Sequence, residues 1–117
     1  MTDRIRLHPR AEEDIADVLA YTLERFGLQQ YQRYEQIIEE ALARLAQRPD
    51  VGRALSGRAG LFLYSIGRRG QRASHQFLYR ALADGRVEIL RLLHDSMDVS
   101  RHIPRDLGDN DPPRGES

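Results

Sequence analysis

The chain has no cysteine, no tryptophan and no lysine, so all 18 of its basic residues are arginine. Without cysteine there is no disulfide scaffold and no thiolate metal site, which suits a reducing compartment. No run approaches the ~18 apolar residues of a membrane span. The opening Met-Thr-Asp-Arg-Ile-Arg puts charge where an export signal needs an apolar stretch. A cytoplasmic protein is the expectation. Carboxylates are also missing from one long stretch. Between Val51 and Ala83 there is no acid, but there are six arginines: Arg53, Arg58, Arg68, Arg69, Arg72 and Arg80.

What is present fits one domain, since 117 residues can bury a two-layer core but not two separate ones. The net charge is zero, yet it is unevenly spread. Residues 1–50 hold seven arginines against ten acids, residues 51–105 ten against four, and residues 106–117 one against four. A basic middle between acidic ends suggests an anionic partner for one surface, with Arg53, Arg68, Arg69, Arg72 and Arg80 as candidates to bind it. The plainer alternative is a solvated arginine loop paired with the acidic first helix.

The periodicity predicts the elements. Arg4 to Leu7 alternates as a short strand, and His8-Pro9 breaks it. Ala11, Ile15, Val18, Leu19, Thr22 and Phe26 form a helical stripe that stops at Gly27. A second helix from about Leu28 to Gln47 carries Tyr31, Tyr34, Ile37, Ile38, Ala41, Leu42 and Leu45, and Pro49 ends it. Residues 50–60 read as loop, 61–66 as strand, 67–72 as loop, and 73–82 as strand. Asp84-Gly85 is a hairpin turn into a strand over 86–93. That strand is apolar on both faces, with Val87, Ile89 and Leu93 on one and Leu90 and Leu92 on the other, as a central strand would be. Residues 95–103 suit a short terminal helix. Residues 104–117 read as a polar, Pro- and Gly-rich mobile tail beyond a single domain of 1–103. The expected class is α+β: an antiparallel meander with a helical hairpin on one face. Ile15, Leu19, Ile38, Leu42, Phe77 and Ile89 are the expected core.

Several chemistries fit poorly. Gly67-Arg-Arg-Gly lacks the Gly-Lys-Ser/Thr ending of a phosphate loop and joins two strands. His94, Asp98 and His102 would align for a metal on one continuous helix, but His94 reads as a strand end, so no metal site is expected. The serines lack a nucleophile elbow. One reading remains open. A sheet carrying His75, His94, Tyr64, Tyr79, Arg80 and Arg91 has the residue types for proton transfer at an RNA 2′-hydroxyl. The plainer reading, which the residues favour, makes Tyr79 and Phe77 core aromatics and Arg80 an edge cation.

Four segments, in order, resemble the ParE toxins of type II toxin–antitoxin modules, within the RelE/ParE superfamily. They are Leu7-His8-Pro9-Arg10-Ala11-Glu12-Glu13-Asp14-Ile15 with Tyr21; Leu45, Pro49, Gly52 and Arg53; Ser74-His75-Gln76-Phe77-Leu78-Tyr79-Arg80; and Glu88-Ile89-Leu90-Arg91-Leu92-Leu93-His94 with Met97-Asp98. The resemblance covers about residues 4–103. It implies a RelE-like fold, β-α-α-β-β-β plus a short C-terminal helix. It implies a cytoplasmic growth-arrest toxin of plasmid-stabilisation type that poisons DNA gyrase, is not itself an enzyme, and needs no cofactor. Its implied partner is a ParD-like ribbon-helix-helix antitoxin with an acidic C-terminal segment, and DNA is touched only through that antitoxin. Target contact is expected at Arg91, His94, Met97, Asp98 and Arg101. The alternatives are a RelE/YoeB-like ribosome-dependent messenger-RNA endonuclease and an orphan interaction module without toxicity. A nuclease would use Arg80, Arg91, His94 and Tyr79. Against it, Gln76 stands where YoeB-like nucleases carry an arginine, and the lysines of the RelE site are absent.

Overall fold

The computed structural model describes residues 4–67, 75–105 and 107. The chain runs β1 (Ile5–Leu7), α1 (Pro9–Phe26), α2 (Leu28–Gln47), a 3-10 turn (Pro49–Val51), β2 (Arg53–Ala54), β3 (Phe62–Ile66), β4 (His75–Ala81), β5 (Val87–His94) and a second 3-10 turn (Val99–Arg101). The expected α+β architecture is present, and three details differ. Two residues of the expected 50–60 loop, Arg53 and Ala54, pair with β3 as a fifth strand. The order is β1-β5-β4-β3-β2, and β1 joins β5 in parallel, so the sheet is mixed. The segment after β5 makes only one 3-10 turn in place of a terminal helix, because Asp98 accepts hydrogen bonds from the backbone N–H and hydroxyl of Ser100, and Pro104 follows closely.

Local chemistry sets the helix ends. The His8 imidazole caps α1, its Nδ1 accepting from the Arg10 N–H at 3.0 Å, and Pro9 starts the first turn without needing a partner for an N–H. Gly27, at φ +93°, closes α1 through a bond to the Leu23 carbonyl and begins α2 directly. The two helices therefore fold back on each other and lie on one face of the sheet. Ala11, Ile38, Ala41 and Leu45 pack there on Ile66, Phe77, Tyr79, Val87, Ile89 and Leu92. Of the expected core, Ile38, Phe77 and Ile89 are fully buried, while Ile15, Leu19 and Leu42 are half-buried at its margin. The helices overrun the sheet, so Phe26, the last residue of the α1 stripe, is 59% exposed.

The other face has its own small core. Leu61, Leu63, Leu78 and Leu90 are covered by Leu55, Val99, Ile103 and Leu107. Leu92 is on the helix side with Val87 and Ile89, not across from them as strict alternation would have it. A β-bulge explains this: Leu78 pairs with Arg91 but Tyr79 pairs with Ile89, so Leu90 is an extra residue and the alternation reverses. Of the segment expected to be mobile, residues 104, 105 and 107 are described; Pro104 is buried and Leu107 packs against this second core. Among the described residues no helix is long and apolar enough to cross a membrane.

Candidate functional site

Each end of β5 is built by a different polar device. At its start, Glu88 lies on one rung between Arg80 of β4 and Arg6 of β1. Its carboxylate accepts from Arg80 Nε at 2.9 Å and lies 3.5 Å from Arg6 Nε. Arg80 is 1% exposed, and it also donates to the Leu107 carbonyl. A buried ion pair of this kind holds strand register and the end of the chain together. Beyond residue 89, β1 has ended and the edge of β5 would be bare. Asp14 of α1 takes the place of a strand: Oδ2 accepts from the Leu92 N–H at 3.0 Å and from Arg91 Nε at 2.7 Å, and Oδ1 accepts from Arg91 Nη2 at 3.0 Å. Arg91 completes its fork with the His102 carbonyl. The bond from Asp14 holds the guanidinium more firmly charged than usual. The bulge turns Arg91 to the face of Leu78, and its guanidinium meets Asp14 at the sheet edge.

Tyr79 is also a scaffold residue. Its hydroxyl donates to the Pro49 carbonyl at 2.7 Å and accepts from the Gly52 N–H at 2.9 Å. A Cβ on Gly52 would lie 2.4 Å from that oxygen, so only glycine fits. Burial pushes the phenol's pKa up. The spacing Pro49-x-x-Gly52 thus has a local cause, a loop wrapped around one tyrosine hydroxyl.

The expected site residues are scattered by this construction. Tyr79 faces the helices, Arg80 is buried with Glu88, and Arg91 is bound to Asp14. His94 ends β5 beside His75 of β4, the ring centroids 5.4 Å apart. Its Nδ1 accepts from the Ser96 N–H, so the proton of the neutral ring is on Nε2. Met97 is 45% exposed in the turn after β5. Asp98 is exposed and caps the 3-10 turn, and its bonds from Ser100 hold its pKa below the usual carboxylate range. Arg101 is exposed, 3.6 Å from Asp98. Arg53 is exposed and donates to Gln76. Arg68, Arg69 and Arg72 lie outside the described residues. No group of three or more His, Asp or Glu that could hold a metal occurs among the described residues.

Two of the recesses among the described residues bear on these side chains. One is a groove of about 540 Å³ where the hairpin overruns the sheet, lined by Val18, Tyr21 and Phe26 of α1, Tyr34 and Ile37 of α2, and the two histidines, with Asp17 and Arg33 at its rim. At its base Tyr34 Oη lies 2.8 Å from His75 Nδ1. Burial pushes Tyr34 up to about 12, which keeps it a donor, and burial followed by the neighbouring His94 pushes His75 below the usual imidazole value. Tyr21, Leu23, Phe26 and Leu28 leave an apolar rim open beside it. The second recess, about 300 Å³, lies at the other end of α1 between Arg10, Arg91, Arg101 and Arg105. The sequence pattern showed the apolar stripes of the groove but not the pairing of Tyr34 with His75, nor Asp14 as the cap of β5. Glu12, Glu13 and Asp17 of the same helix are exposed, and nothing in the spacing of these acids marks Asp14 as the one that turns to the sheet.

Comparison with known proteins bears on these features. Residues 5–99 match the family model for the ParE toxin of the type II toxin–antitoxin system parDE. The chain is 32% identical over 104 residues to toxin ParE1 of Mycobacterium tuberculosis, covering 88% of this chain and all of that protein. It is 33% identical over 99 residues to toxin ParE1 of Caulobacter vibrioides, covering 84% of this chain and 95% of the relative. The matched span includes the Asp14 cap, the Pro49–Gly52 wrap and the Arg80–Glu88 rung, and the chain belongs to the ParE toxin family of type II toxin–antitoxin systems.

Proposed function

We propose that this toxin arrests growth by inhibiting DNA gyrase, without being a nuclease, and that a ParD-like antitoxin neutralises it in the cytoplasm. One observation carries the choice between gyrase poison and ribosome-dependent endonuclease. The four residues a nuclease would use do not share a surface: Tyr79, Arg80 and Arg91 are each engaged by the scaffold, and His94 alone borders the groove. General acid–base chemistry on RNA needs a proton-transferring group and a phosphate clamp around one reacting atom. Gln76, in place of an arginine, donates nothing ionic to that face.

The apolar groove supports the antitoxin half of the reading. An amphipathic helix laid across Tyr21, Phe26 and Tyr34 would bury the rim that the hairpin leaves open. The turn after β5, with Met97 exposed between His94 and Arg101, is the proposed target contact, and it adjoins the groove at His94. The test is a supercoiling assay with purified gyrase and toxin, run beside a translation reaction in which messenger RNA is followed by primer extension. Loss of supercoiling with accumulation of cleaved DNA supports the proposal. Codon-position cleavage of messenger RNA with supercoiling intact reverses it.

A further inference from the structure

We propose that the arginine recess at the start of α1 is a phosphate-binding site that takes the backbone of a nucleic-acid strand. The inference rests on the reading of Arg101 as part of the target contact and supplies a ligand for that part of it. Arg10, Arg91, Arg101 and Arg105 line the recess with His102, Ile103 and Pro104, and among the described residues no carboxylate lines it. The nearby acids reach these arginines from outside. Glu13 is 3.9 Å from Arg10 and Asp98 is 3.6 Å from Arg101, both exposed pairs of the kind that contributes little. A phosphate entering the recess would displace them readily. Arg91 differs, since Asp14 and the His102 carbonyl fix its guanidinium. It is a fixed part of the wall, while Arg10, Arg101 and Arg105 bring exposed forks around it. Planar forks match phosphate oxygens two at a time.

The walls favour a nucleic-acid strand over an acidic protein segment. A protein partner draws most of its affinity from apolar anchors in fitted pockets. Here only Ile103 and Pro104 are apolar, whereas the groove at the far end of the helix has aromatic walls. The recess is also open and wider than one phosphate group. Its guanidinium groups come from three separate segments: the first turn of α1, β5, and the chain from 101 to 105. That arrangement suits a ligand whose charge repeats along its length and whose contacts are polar.

The experiment uses the purified full chain without gyrase or antitoxin, so that failure here and failure of the gyrase reading are separate results. Binding to a fluorescein-labelled duplex of about 20 base pairs is followed by anisotropy from ~50 to ~200 mM salt. Three exposed arginines predict a log–log salt slope near −3. The Arg101→Ala/Arg105→Ala variant should bind about tenfold more weakly, with a slope shallower by about 2. Both residues are exposed, and circular dichroism verifies folding. Arg44→Ala/Arg58→Ala removes the same charge from exposed positions elsewhere and should leave affinity and slope nearly unchanged. An equal loss in both variants, or no salt-dependent binding by the unmodified chain, overturns the site. Displacement of the duplex by inorganic phosphate at equal phosphate concentration assigns the recess to free phosphate and overturns the strand. Displacement by poly-glutamate as effective as by unlabelled duplex assigns it to an acidic protein and overturns it likewise.

Discussion

Along one helix, Val18, Tyr21 and Phe26 line an apolar groove, whereas Arg10, eight residues before the first of them, lines a recess shared with Arg91, Arg101 and Arg105. The groove exists because two amphipathic helices are longer than the sheet they cover. Their stripes continue past the last strand, and nothing among the described residues covers Tyr21 or Phe26. The recess exists for the opposite reason. There the strand β1 is too short for its neighbour, and Asp14 and Arg91 fill the gap with a charged pair. A surplus of apolar surface and a shortage of strand thus give one small domain two chemically unlike surfaces. In the proposed reading, one surface takes an amphipathic antitoxin helix and the other a polyanionic strand.

The strongest way to break the contrast is at Asp14. Asp14→Ala leaves the Leu92 N–H without its acceptor and Arg91 without its counter-charge, while both side chains are largely buried. The expected cost is about 3–5 kcal/mol, read by urea denaturation. Asp14→Asn keeps one acceptor for Leu92 and should cost less. A change below about 1 kcal/mol for the alanine would mean that water can replace the cap.

Tyr79→Phe should cost about 1–3 kcal/mol, because the Gly52 N–H and Pro49 carbonyl both lose their partner. Toxicity of the folded fraction should persist. A fully stable variant that has lost toxicity would instead place the hydroxyl in chemistry, and the scaffold role argued for Tyr79 would be wrong.

Much of the groove was legible in sequence, because a 3.6-residue stripe records which residues face inward. The stripes contain Val18, Phe26, Tyr34 and Ile37 of its walls. The stripe does not record where the sheet stops, so Phe26 reads as core and is exposed. The recess was much less legible. Its geometry depends on a bulge at Leu90, and a strand that is apolar on both faces gives no phase by which to detect one. It depends also on Asp14, 78 residues from the N–H it accepts. Arg80 shows the same difficulty. A lone arginine on a strand reads as an edge cation, and only its register opposite Glu88 makes it a buried pair.

A smaller effect distinguishes the groove by pH. His75 is held neutral in the folded protein more than in the unfolded chain, by burial and then by His94, with Tyr34 on α2 and Asp95 after β5 facing the same cluster. The unfolded chain therefore binds more protons, and stability falls as pH drops below about 6.5, the ordinary imidazole value. Carboxylates held low, such as Asp98, act only at more acidic pH. His75→Gln should flatten the stability profile between about pH 5 and 6.5. An unchanged slope in chemical denaturation across that window would show that His75 titrates alike in both states.

The smallest stability change and the most direct test coincide at the open rim. Phe26→Ala/Leu28→Ala removes two side chains that are 59% and 60% exposed, so each should alter stability by no more than about 0.5 kcal/mol. The decisive measurement is gyrase supercoiling with this variant, titrated with the cognate antitoxin. If the groove serves the antitoxin and the end beyond β5 serves the target, the variant inhibits gyrase as the unmodified toxin does but needs about tenfold or more antitoxin to be silenced. A variant that fails to inhibit gyrase, while antitoxin binds it as tightly as before, would contradict the assignment of the two surfaces.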